Sequence, residues 1–271
     1  MSSELILERS PVRTERPETG VAVLFLDRPK SRNSLSTAMM AALRGEIAAL
    51  GTDPGVSAIV IAAEGPAFCA GHDLKELTAH RSDSDGGRIF YAETMTRCAE
   101  MMQAIVACPK PVIAAVHGTA TAAGCQLVAT CDLAVAEEDS RFATPGVNIG
   151  LFCSTPMVAL SRNVPRKRAM EMLLLGEMMG AAEAAEYGLV NRVVAKDESY
   201  AAALEMARII ASKSPITVAI GKKAFYDQVE MPLASAYDYA ARVMVENMLK
   251  ADAAEGISAF LEKREPVWKG C

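Results

Sequence analysis

Apolar residues run along the chain in two alternating patterns. Short, nearly continuous apolar runs read as buried strands: Val21–Asp27, Ser57–Ala63, Val112–His117 and Cys131–Ala136, with a further strand over residues 4–9. The Pro- and Gly-containing stretch 10–20 reads as the turn joining the first two. Between strands the period changes to three or four. Met39, Leu43, Ile47 and Leu50 mark a helix capped by Ser36 and stopped at Gly51, and Tyr91, Met95, Met102 and Ile105 share one face of a helix over 88–107. A small-residue helix over about 122–130 follows.

All-apolar strands alternating with helices predict a parallel sheet covered on both faces. Past residue 197 the pattern is purely helical, over 198–212, 215–230, 233–250 and 252–263. The chain therefore divides into an α/β core, residues 1–196, and a helical C-terminal module, residues 197–271.

Composition narrows the function classes. A net charge of -5 argues against a general nucleic-acid or anionic-membrane binder. No apolar run reaches the ~18 residues of a membrane-crossing helix. The N-terminal segment reads as neither a signal nor a transit peptide. Seven cysteines without a CxxC pair suggest neither a metal knuckle nor a redox motif, and most lie in apolar runs as small hydrophobes. Reduced thiols predict a cytoplasmic protein.

Two glycine-containing turns follow strands and open helices: Pro66–Leu77 and His117–Gln126. A helix start presents unpaired N–H groups and a positive dipole end, so two such starts aimed at one point can hold an oxygen that gains negative charge. Asp73 also reads as a helix N-cap, with Glu76 three residues on as its capping-box partner.

The run Ala67-Phe68-Cys69-Ala70-Gly71-His72-Asp73-Leu74-Lys75 resembles the first oxyanion-hole segment of the crotonase (enoyl-CoA hydratase/isomerase) superfamily. Lys110–Gly118 with Ala122-Ala123-Gly124-Cys125 resembles the second. Cys131–Ala134, Phe142–Pro145, the loop Leu26–Leu35 and the C-terminal Ala259–Arg264 continue the match in order over about residues 5–265. Within the superfamily the blend of motifs is most similar to the mitochondrial enoyl-CoA hydratase domain-containing proteins.

The resemblance implies an α/β crotonase (ClpP-like) spiral of ββα units with a helical C-terminal trimerisation module, assembled as a homotrimer or homohexamer. It implies an acyl-CoA substrate, with coenzyme A entering as part of that substrate and no permanently bound cofactor. The N–H donors fall on His72 and Ala123. Lys30, Arg32, Asn33, Ala70, Asp73, Leu74 and Lys75 match the segments that hold the adenine and pantetheine parts. Phe260 and Lys263, in the family often donated by a neighbouring subunit, match the nucleotide contacts.

The pattern breaks at the acids. The positions matching the family hydratases' two glutamates hold Gln126 and Gly146, and an acid that some isomerases carry eight residues further on is Ser154. Gln cannot titrate and Gly has no side chain, and each missing acid or base is worth about 10²–10⁴ in rate. Ordinary hydratase turnover is therefore not expected. His72 is the one histidine in a site segment and a possible acid or base, Gln126 could orient a water or the acyl group, and Cys153 and Ser154 should border the acyl pocket. Thioester hydrolysis, decarboxylation, isomerisation and non-catalytic acyl-CoA binding all remain open at this level.

Overall fold

A computed structural model describes residues 10–271; the strand expected over residues 4–9 lies outside them. β1 (Val12–Glu18) and β2 (Gly20–Leu26) form an antiparallel hairpin. Most of the stretch expected to be a turn is thus strand. β1 is the outermost strand, so Pro17, which has no N–H to donate, is tolerated where the register shifts between Glu15 and Glu18.

Ser36 caps α1 (Thr37–Thr52) by accepting from the Met39 N–H, and the helix buries Met39, Leu43, Ile47 and Leu50. Gly51 lies inside its last turn and Asp53 closes it. There follow β3 (Val56–Ala63), α2 (Leu74–Ala79), α3 (Arg88–Ala107), β4 (Val112–Val116), β5 (Thr119–Thr121), α4 (Ala123–Thr130), β6 (Leu133–Glu137) and β7 (Arg141–Ala143). Then come α5 (Pro156–Asn163), α6 (Arg166–Leu175), β8 (Met179–Gly180), α7 (Ala181–Glu186) and β9 (Arg192–Val194). The chain continues through α8 (Ser199–Ala211), α9 (Pro215–Gln228), α10 (Leu233–Met248) and α11 (Ala251–Glu262).

The larger sheet has the order β1-β2-β3-β4-β6-β9 and is parallel from β2 onward. The smaller has the order β5-β7-β8. Two successive turns of the spiral place one strand in the larger sheet, one in the smaller, and then a helix: β4, β5, α4, then β6, β7, α5. This is the α/β spiral of ββα units.

Alternate residues of the central strands feed two cores, which is why those strands are apolar throughout. Ile59, Ile61 and Val112 face α1, α3 and α4. Ala58, Val60, Ile113 and Val135 face Ala203, Met206 and Ala207 of α8. The first helix past residue 196 is therefore the second cover of the sheet. α9, α10 and α11 stand beyond it as a mostly exposed module, anchored chiefly where the buried Lys222 ammonium on α9 donates to the Asp132 carboxylate at 2.6 Å and to the Ile105 and Lys110 carbonyls.

Candidate active site

Three segments meet where the two sheets come together. The run 69–72 is stitched on one side to Leu35, whose N–H donates to the Gly71 carbonyl at 2.7 Å and whose carbonyl accepts from Asp73 N–H. On the other side Cys69 pairs with Ala120 through bonds to Thr119 and Thr121. Ala122 N–H donates to the Ala143 carbonyl at 2.9 Å, which brings the segment after β7 alongside.

Close approach requires glycine here. At Gly71, with φ +90°, a β-carbon would stand 2.9 Å from Ala122 Cβ and 3.3 Å from the Ala123 nitrogen. At Gly124 it would stand 2.1 Å from the Cys69 carbonyl oxygen. The starting turn of α4 is thus seated directly on the 69–72 run. Because Leu35 bonds to Gly71 and Asp73, the His72 amide between them faces the opposite edge. The His72 and Ala123 N–H groups have no acceptor among the described residues. Ala122, which aims the Ala123 N–H, has φ 50° and ψ -118°, a backbone that costs a non-glycine residue about 1–3 kcal/mol.

The side chains divide by what they are free to do. His72 Nε2 is buried without a partner, and burial lowers the imidazole pKa against a smaller opposing pull from Glu76, so the ring is neutral at pH 7. Thr144 Oγ1 is likewise sealed without a partner among the described residues. Each such orphan costs about 1–3 kcal/mol, a cost that a ligand atom would offset. Gln126 is almost wholly buried, and its Oε1 faces the Cys98 thiol at 3.9 Å. Gly146 is closed in: a β-carbon would lie 2.7 Å from the Leu151 carbonyl oxygen and 2.9 Å from Cys153 Sγ.

Other predicted residues are committed elsewhere. Asp73 caps α2, accepting from Lys75 N–H at 2.9 Å and Glu76 N–H at 3.2 Å. Glu76 does not complete a capping box, because its carboxylate accepts from the Thr37 N–H and hydroxyl at the start of α1. Asn33 is buried and spends its side chain on Arg28, Glu64 and Ala67, so only its backbone is available to a ligand. Ala70 N–H bonds to the Arg32 carbonyl, which sets the 30–33 loop beside the 69–75 run. Lys30, Arg32, Leu74 and Lys75 are exposed there.

The Ser154 hydroxyl is exposed and donates to the Phe152 carbonyl of its own loop. Phe260 and Lys263 are exposed at the far end of α11, which packs on α9 and α10. A cavity of about 570 Å³ opens at the carboxyl ends of β2, β3, β4 and β6 and contains none of the predicted site residues. No sequence pattern marks the Cys98 thiol, the Thr144 hydroxyl or the backbone of Ala122 as part of the site. An alanine with positive φ leaves no sequence signal, and Cys98 is only one more apolar position on α3.

The family model for enoyl-CoA hydratase/isomerase matches residues 16–271. The chain belongs to the enoyl-CoA hydratase/isomerase family. A rat relative in this family, "Enoyl-CoA hydratase domain-containing protein 3, mitochondrial", is 48% identical over 253 residues, covering 93% of this chain and 83% of that protein. The crystal structure of an enoyl-CoA hydratase from Mycobacterium smegmatis superposes with a TM-score of 0.91 at 52% identity, covering 95% of this chain and 98% of the other. That of human enoyl-CoA hydratase domain-containing protein 3 gives a TM-score of 0.90 at 48% identity, covering 95% and 100%.

The crotonase fold and the enoyl-CoA hydratase domain-containing branch are thereby shown. The cytoplasmic expectation is overturned, since the rat, mouse, frog, human and zebrafish relatives are all named mitochondrial. Cysteine usage separates reducing from oxidising surroundings and does not tell one reducing compartment from another.

Proposed function

We propose that this family member binds an acyl-CoA and stabilises negative charge on the thioester oxygen with the His72 and Ala123 N–H groups. The observation that carries this reading is the pair of acceptor-free N–H groups at the Gly71–Ala123 junction, with backbone strain at Ala122 spent on aiming one of them. Fixed donors in a water-poor site need no reorganisation as charge develops, which is why such pairs contribute strongly to acyl chemistry.

Coenzyme A enters as part of the substrate. Its pantetheine and adenine parts run past the backbone of Ala70–Lys75 and the exposed Lys30–Asn33 loop, with Lys30, Arg32 and Lys75 facing the phosphates. Phe260 and Lys263 reach the nucleotide end from a neighbouring copy in a homotrimer or homohexamer. The large exposed apolar side chains of α9–α11, among them Phe225, Leu233, Leu249 and Phe260, supply a face for that assembly.

Efficient hydration is not part of the proposal, because Gln126 and Gly146 provide neither a base nor an acid. A second reading, hydrolysis or isomerisation with a protein proton carrier, is favoured by one observation: the buried, neutral and unpartnered His72 imidazole. Titration calorimetry with butyryl-CoA tests the binding, and loss of crotonyl-CoA absorbance tests the chemistry. The expected result is saturable binding with hydration about 10²-fold or more below that of glutamate-bearing family members. Absence of binding, or hydration at their level, refutes the proposal.

A further inference from the structure

The cavity of about 570 Å³ at the carboxyl ends of β2, β3, β4 and β6 lies on the α8 side of the larger sheet. Side chains alternate along a strand, and four that line the cavity, Phe25, Ala62, Ala115 and Glu137, keep step with Val23, Val60, Ile113 and Val135, which pack under α8. Cys69, Ala120 and Ala123, around the donor pair, belong to the core of the opposite face. This space is therefore separate from the His72–Ala123 junction. Its volume is that of a small-molecule site, and the carboxyl ends of parallel strands are where open α/β sheets take ligands.

Glu137 is the charged group of the buried lining. It is 5% exposed, and among the described residues its carboxylate has one partner, the Ser199 hydroxyl, which donates to Oε1 at 2.8 Å. Oε2 has no partner among them and is not sealed, so it opens on the cavity. A carboxylate taken out of water and met by a single neutral hydroxyl is undercompensated. It calls for a cation.

The outer lining carries more negative charge. Glu64 is already paired with Arg13. Asp139 and Asp197 are exposed and make no ion pair among the described residues, and one exposed lysine, Lys196, opposes them. The rest of the wall is chiefly apolar: small alanine methyls and the rings of Phe25 and Tyr200, 5.7 Å apart. No three His, Cys, Asp or Glu side chains among the described residues are placed to hold a metal ion. Carboxylates at two depths, separated by apolar surface, suit an organic cation with two charged ends.

We propose that this cavity binds a short aliphatic diamine. One ammonium donates to Glu137 Oε2, the other lies between Asp139 and Asp197, and the methylene chain rests on the alanines and the two rings. The site is independent of the acyl-CoA reading.

Calorimetry on the full chain at low salt tests it, with 1,4-diaminobutane, butylamine and 1-butanol as probes. The diamine should bind saturably, butylamine about tenfold or more weakly, and butanol not at all, the range for hydrogen bonds to charged groups. Glu137→Gln keeps an acceptor for Ser199 and removes the charge, so diamine affinity should fall about ten- to a hundredfold at an unchanged melting temperature. Asp139→Asn with Asp197→Asn alters only exposed side chains, and should bring the diamine down to the affinity of butylamine while leaving butylamine as it was. Lys196→Gln should tighten the diamine. Equal affinity for all three probes, or no saturable diamine binding, would overturn the proposal. Diamine binding that both the Glu137 variant and the double aspartate variant leave unchanged would place it elsewhere on the surface and overturn it too.

Discussion

Cys153 occupies the room that a side chain at Gly146 would need: its sulfur stands 2.9 Å from the position of a β-carbon there, with the Leu151 carbonyl oxygen at 2.7 Å on the other side. The missing carboxylate is therefore absent in space as well as in sequence. The loop has closed over its place. Gly146→Glu should cost about 1–3 kcal/mol, the range for overpacking a filled interior, and the double change with Gln126→Glu should not generate hydration of crotonyl-CoA. Removing the thiol with Cys153→Ala should recover part of the lost stability, and urea unfolding of the single and double variants measures the coupling.

The Lys222–Asp132 pair joins residues 90 positions apart and ties α9 to the core. Asp132 also accepts from the Val112 N–H and the Tyr226 hydroxyl, so its carboxylate is fully occupied. Lys222→Met leaves that part-buried carboxylate without its cation. The expected cost is about 3–5 kcal/mol, with the module beyond residue 213 cleaved first in limited proteolysis. Protease resistance equal to the parent protein would show that α9 is held by other contacts.

At Ala122 a glycine removes the penalty of the positive φ. Ala122→Gly should raise stability by about 1 kcal/mol, whereas Ala122→Val should lower it and weaken butyryl-CoA binding. Chemical denaturation of the two variants in parallel decides the sign.

Gly71→Ala tests the seat of α4 directly. The added methyl meets Ala122 and the Thr121 carbonyl oxygen and is strained by the φ of +90°. Butyryl-CoA affinity should fall at least tenfold, about 1.4 kcal/mol, as the His72 and Ala123 N–H groups are pushed apart. Calorimetry at unchanged fold, verified by circular dichroism, reads that loss.

For His72 the pH dependence follows from the direction of its shift. Burial holds the folded-state value below the ordinary 6.5, so the unfolded chain binds the proton more readily. Stability is unaffected above about pH 6.5, declines as pH falls below it, and levels off once pH passes the lowered folded-state value. His72→Gln should flatten the melting temperature between pH 7 and about 5 relative to the parent protein. An unchanged slope would place the buried titration elsewhere.

Much of this architecture is legible in the sequence because the residues that specify it act locally. Ser36 caps its own helix, Asp73 caps α2 through N–H groups two and three positions on, and the unbroken apolar runs of β3 and β4 require cover on both faces. The turn chemistry at Gly71 and Gly124 likewise marks where donors gather, and resemblance alone places the donors on His72 and Ala123. The strand β1 was lost to its proline because only its place at the sheet edge makes that proline harmless.

The tertiary structure decided what depends on distance through space. Cys98 turns the Gln126 carboxamide from across two helices, Cys153 fills the space beside Gly146, and Lys222 finds Asp132 from another module. No periodicity or spacing encodes these relationships, since each is fixed by close packing of segments whose separation along the chain carries no signal. Sequence alone determined which backbone segments could turn into helices around Gly71 and Gly124. Packing decided which side chains are left free where those segments meet.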